Sequence, residues 1–110
     1  MAYDEGLAQR IREELGTTAG VVEKRMFGGV GFMVQGNMAC GVHGQEMIVR
    51  VGPDEHPKAL KKAHVRAFDL TGKPMAGWIL VKPEGIASDK DLAYWVKLGA
   101  QYAGSLPAKR

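Results

Sequence analysis

The residues able to do chemistry are few and scattered. Cys40 and His43 lie three apart within a glycine-rich run, residues 25–44, and a cysteine–histidine pair is the minimal set for thiol catalysis. The run alternates like a strand, however, and that spacing sends the two side chains to opposite faces. Cys40 reads instead as a small apolar residue sharing a face with Met38 and Val42. His56 and His64 stand eight apart around a short helix, but no carboxylate arrangement completes a metal set. Gly29-Val30-Gly31 begins like a dinucleotide-binding loop, yet Val34 occupies the third glycine position and a strand follows where a helix is needed. Gly72-Lys73 runs into Pro74, with Ala67 where a phosphate loop needs its first glycine. Lys58, Lys61, Lys62, His64 and Arg66 make the densest basic cluster, the lysines sharing one helix side through i, i+3, i+4 spacing. Lys58, Lys61, Lys62 and Arg66 are the candidate nucleic-acid contacts, for weak, salt-sensitive binding with little sequence preference. No aromatic residue interleaves with them to stack a base. The expectation is a non-enzymatic protein with no catalytic, cofactor-binding or metal-binding residues.

The elements that must position these residues follow from periodicity. Asp4 caps a first helix with Leu7, Ile11 and Leu15 on one face, and Gly16 ends it. A first strand is predicted over 21–27, with Gly28-Gly29 as its turn. Val30, Phe32 and Val34 alternate with Gly31, Met33 and Gln35, Gly36-Asn37 reads as a hairpin turn, and Met38, Cys40 and Val42 continue on the return strand. A turn at Gly44-Gln45 leads to a strand over 47–51. A short helix over 55–63, weak alternation over 67–70 and a strong strand over 78–82 come next. Ser88 and Asp91 open a last helix with a Leu92, Trp95, Val96, Gly99, Tyr102, Ala103 stripe. The expected fold is α+β in two layers, one mainly antiparallel sheet backed by helices, in the order α-β-β-β-(β)-α-β-β-α.

Composition agrees with one domain spanning residues 1–110. Fifteen of 110 residues are glycine, about twice the usual ~7% share, and nine of them fall from Gly16 to Gly52. Apolar residues are interleaved with them, which argues for tight turns and close strand packing rather than disorder. Met26, Met33, Met38 and Met47 suit irregular packing around such glycines, and also suit an adaptable binding face. A lone cysteine excludes an internal disulfide and fits a reducing compartment. With no signal-like N-terminus and no ~20-residue apolar run, the protein is expected to be soluble and cytoplasmic. The net charge of +3 permits a basic patch without requiring nucleic acid as partner.

Taken together, YDEGLAQRIREEL, KRMFGGVGFMVQGNMACGV, MIVRVGP, DLTGKPMAGWILVKPEG and DLAYWVKLGAQYAGSLP resemble the N-terminal domain of the TfoX/Sxy family of competence regulators. The motif residues are Met26, Phe27, Gly28, Gly29, Gly36, Asn37, Gly72, Pro74 and Trp78, read as structural. The resemblance implies a secretion-chaperone-like α+β domain in which pairing into homodimers is common. Family members activate DNA-uptake genes alongside the cyclic-AMP receptor protein and carry a second, C-terminal domain, absent from this sequence. The resemblance transfers no catalytic residue. It favours a regulatory or protein-interaction module with an unidentified protein partner, such as transcriptional machinery. A small-ligand binder or enzyme with a pocket near the glycine-rich hairpin, and a weak direct DNA binder, are the alternatives.

Overall fold

The computed structural model describes residues 3–16, 18, 20–26, 28–69, 72 and 75–107. Helix α1, Glu5–Leu15, opens on Asp4, whose carboxylate accepts a hydrogen bond from the Leu7 N–H at 3.1 Å. That bond satisfies one of the donors a helix start leaves free. Leu7, Ala8, Ile11 and Leu15 form its buried stripe, and Gly16 stops it at φ 51°. Strands β1 (Val21–Met26), β2 (Gly29–Val34), β3 (Asn37–His43) and β4 (Glu46–Arg50) follow as a meander. Helix α2 (His56–Leu60), β5 (Val65–Ala67), β6 (Trp78–Val81), a 3-10 turn at Pro83–Gly85 and helix α3 (Asp89–Ser105) complete the order. The six strands lie as β1-β2-β3-β4-β6-β5, every neighbouring pair antiparallel. This is the α+β fold expected from periodicity, with the optional fourth strand of the meander present.

Helices α1 and α3 cover one face. Val30, Phe32, Cys40, Val42, Val49 and Ile79 point there and pack with Leu7, Ile11, Leu92, Trp95 and Val96. Ser88 caps α3, its hydroxyl accepting from the Asp91 N–H at 3.1 Å.

Several local expectations shift by a residue or a turn, each for a physical reason. The hairpin between β2 and β3 turns on Gln35-Gly36, at φ 53° and 84°, and not on Gly36-Asn37. Two consecutive positive-φ residues match the right-handed twist of the strands they join. Asn37 is therefore a strand residue, buried, and its amide donates to the Pro107 carbonyl at 2.9 Å, tying down the end of the chain past α3. Gly29 likewise belongs to β2, paired with Met26, and Gly28 at φ 71° is the turn residue. Helix α2 is only five residues long, so Lys61 and Lys62 lie beyond it. Strand β5 begins two residues earlier than the weak alternation indicated.

The largest correction concerns Cys40. Phe32 pairs with Cys40 and Met33 with Met38, so Ala39 is an extra residue in β3, a β-bulge. The bulge breaks the alternation: Cys40 and Val42 face the helices, while Met38 packs on the opposite face with Ile48, Phe68 and Leu80.

The bulge is also where α3 comes closest. A Cβ placed on Gly99 would overlap the Ala39 carbonyl oxygen and carbon. Only a hydrogen at position 99 lets the helix lie against the backbone of the central strands. Gly99→Ala should gain the ~1 kcal/mol by which alanine outranks glycine in a helix. It should lose more, through a clash with rigid backbone, for a net cost of about 1–3 kcal/mol. Urea denaturation checks this: the midpoint should fall with the m-value unchanged.

Candidate functional site

The sheet face away from α1 and α3 has the less complete cover. Met38, Ile48, Phe68 and Leu80 are buried there, while Met33, Met75 and Trp78 pack against them half-buried. The chain after β5 folds back over this face: the Met75 N–H donates to the Phe68 carbonyl at 3.1 Å, and the Phe68 and Trp78 rings lie 5.8 Å apart. Gly31 and Gly41 are directly paired on the same face, and a Cβ on Gly41 would come within 2.9 Å of the Met38 ε-methyl. The glycines of the meander thus leave hollows that methionine fills. Val22, on edge strand β1 and paired with Met33, is 53% exposed.

Charged groups ring the apolar patch. The Arg66 guanidinium donates to both Glu46 oxygens, at 2.9 and 2.7 Å, and reaches Asp69 at 3.4 Å. The bond from Arg66 holds the Glu46 carboxyl below the usual carboxylate range, helped by the charges of His43 and Lys82 and opposed by partial burial. Arg50 lies against two rings, 5.0 Å from the Trp78 centroid and 5.4 Å from that of Tyr102. Arg50 is half-buried and, among the described residues, makes no hydrogen bond or ion pair through its side chain. Sequence reasoning passed over Arg50 and read Tyr102 only as part of the apolar stripe of the last helix, since only the pairing of β4 with β6 and the end of α3 bring them to Trp78.

A family model described as the TfoX N-terminal domain matches residues 13–103. The chain belongs to that family. No curated protein gives a significant match. In this TfoX N-terminal domain the family-motif residues have distinct places. Gly28, Gly36 and Gly72 hold positive φ, Met26 pairs with Gly29, Asn37 anchors Pro107, and Trp78 stands on the uncovered face. Phe27 and Pro74 lie outside the described residues.

The four candidate nucleic-acid contacts do not form one surface. Lys58 pairs with Glu55 at 3.7 Å, Lys61 is exposed past the end of α2, and the Lys62 ammonium sits 4.9 Å from the Tyr94 centroid. Arg66 projects from the opposite face of the sheet, level with Leu80, and its charge is already engaged by two carboxylates. Lys62 instead lines a cleft of about 500 Å³ with His64, Glu84, Lys90, Asp91 and Tyr94, of mixed charge and away from the hairpin.

The other chemical candidates stay apart. Burial pushes the Cys40 thiol up to about 12, so it is protonated and shielded. His56 Nε2 is buried without a hydrogen-bond partner, and among the described residues no three histidine, cysteine or carboxylate groups converge as a metal set. No described helix is long and apolar enough to cross a membrane.

Two outcomes follow from the charges. Because the folded-state value of Glu46 is depressed, its ion pair stabilises the fold above the ordinary glutamate pKa of about 4.3 and loses that contribution as pH falls through the lower folded value. Arg66→Gln should therefore cost about 1 kcal/mol at neutral pH, modest because the pair is partly solvated, and close to nothing at strongly acid pH. Melting curves of both proteins across that range check it. Replacing Lys58, Lys61 and Lys62 together with glutamate should remove any low-salt DNA binding in a gel-shift assay, while Arg66→Gln should leave it within about twofold.

Proposed function

We propose that this domain is a non-enzymatic regulatory module that works by protein–protein contact through the uncovered sheet face, and that it pairs as a homodimer. The observation that supports this reading is the second apolar cluster, which leaves Met33, Met75 and Trp78 half-exposed on a face the helices do not cover. Methionine and tryptophan beside a free arginine are the residue types enriched at protein interfaces and depleted from ordinary surface. Family membership supports a regulatory role linked to competence or transcription. Edge strand β1, with Val22 exposed, offers a second copy an open row of backbone donors and acceptors. The cytoplasm, where the transcriptional machinery works, is its proposed location.

A deletion strain complemented in parallel tests the reading. The wild-type gene should restore the transcript profile. The double variant Met33→Lys, Met75→Lys should fail to restore it although circular dichroism shows it folded, because charged side chains on the face oppose burial against a partner. Full complementation by a folded double variant would remove the interaction face from the function.

A further inference from the structure

The uncovered face is apolar at its centre and positive at its rim. Among the described residues its cations are Lys24, Arg50, Arg66 and Lys82, and its carboxylates are Glu46 and Asp69. The two carboxylates are both spent on Arg66. Arg50 is left with its guanidinium against two rings and no acceptor among the described residues.

That geometry has consequences for recognition. Both rings lie close to the guanidinium carbon, and its N–H groups have no acceptor among the described residues. Stacking also restricts the side chain before binding, which lowers the ordering cost of a bidentate hydrogen bond. A carboxylate matches the fork, because two parallel N–H groups meet two coplanar oxygens. The position is fixed by backbone rather than by chance. A Cβ on Gly52 would collide with the Tyr102 ring, and the Gly77 carbonyl accepts from both Val51 and Gly52, at 2.8 and 3.1 Å. Asp54 and Glu55 line a cleft with Tyr102, and their charge disfavours an anion there. Trp78 belongs to both neighbourhoods, stacking on Arg50 and packing with Met33 and Met75.

We propose that Arg50, in contact with the rings of Trp78 and Tyr102, is the anchor of the interaction face and takes the carboxylate of an acidic protein segment whose neighbouring apolar side chains rest on Met33, Met75 and Trp78. The proposal rests on the reading of this face as a protein-interaction surface. It identifies the partner by chemistry: an acidic residue flanked by aliphatic ones. The excess of positive charge on the rim favours such a segment over a basic one.

The test is a two-dimensional NMR titration of the ¹⁵N-labelled protein with acetyl-Leu-Glu-Leu-amide, acetyl-Leu-Gln-Leu-amide and inorganic phosphate. The glutamate peptide should shift the Arg50 Nε–H and the Trp78 indole N–H together, along with the backbone signals of Met33 and Met75. The glutamine peptide should bind at least threefold more weakly. Arg50→Gln should weaken the glutamate peptide about tenfold and bring the two peptides level, as loss of a central arginine contact does. Arg50→Lys, which keeps the charge but not the fork, should recover only part of that loss. Equal shifts from both peptides at Met33, Met75 and Trp78 would overturn the anchor and spare the interaction face. No shift there from either peptide would overturn both. Phosphate moving the Arg50 and Trp78 signals as strongly as the glutamate peptide would make this a small-anion site and overturn the protein-segment assignment. If Arg50→Gln does not fold, Arg50 is a structural fastener as well, and the glutamate-to-glutamine comparison on the unaltered protein still decides the proposal.

Discussion

The architecture turns on one close approach, between the backbone of α3 at Gly99 and the bulged backbone of β3 at Ala39. A helix normally rests on a sheet through side chains, roughly a side-chain layer away. Here a hydrogen replaces that layer at the centre, which lets Leu92, Trp95 and Val96 sink among the strand residues on either side. The bulge is what makes the approach productive. By adding one residue to β3, it turns Cys40 and Val42 toward the helices and releases Met38 to the other face. One irregularity therefore sets the contents of both faces.

The division of labour between the faces follows. The helix-covered side is continuous and closed, and the side chains it collects are aliphatic or aromatic with the one thiol sealed among them. Opposite it, Gly31 and Gly41 supply no side chain, and flexible methionines fill the space. A surface built from methionine over glycine can adjust its contour at low cost, since unbranched side chains have many near-equivalent rotamers.

Electrostatics sharpens the same face. Arg66 on β5 and Arg50 on β4 both lie on it, with β6 between them. The first is neutralised by Glu46 and Asp69 and serves the fold, while the second is oriented by aromatic rings and keeps its donors available. A basic residue count alone treats the two alike. Their surroundings differ, and desolvation and pairing, not formal charge, decide what a guanidinium can still bind.

Much of the fold was legible in the chain because local rules decide it. The Asp4 and Ser88 caps, the four-residue spacing of Leu7, Ile11 and Leu15, the Gly16 stop and the alternation through Val30, Phe32 and Val34 depend on neighbours a few residues away. The family match rests on the same local strings. What sequence alone could not place depends on partners far along the chain. The bulge at Ala39 has no signature in a run that alternates smoothly, and it is stable because Gly99, sixty residues later, can approach it. Arg66 looks continuous with Lys58, Lys61 and Lys62, but a strand reverses facing at every residue and sends it to the other side. Arg50, Trp78 and Tyr102 carry no shared spacing at all. They meet because β4 pairs with β6 and α3 ends above Gly52, a coincidence of register and helix length that only the assembled sheet creates.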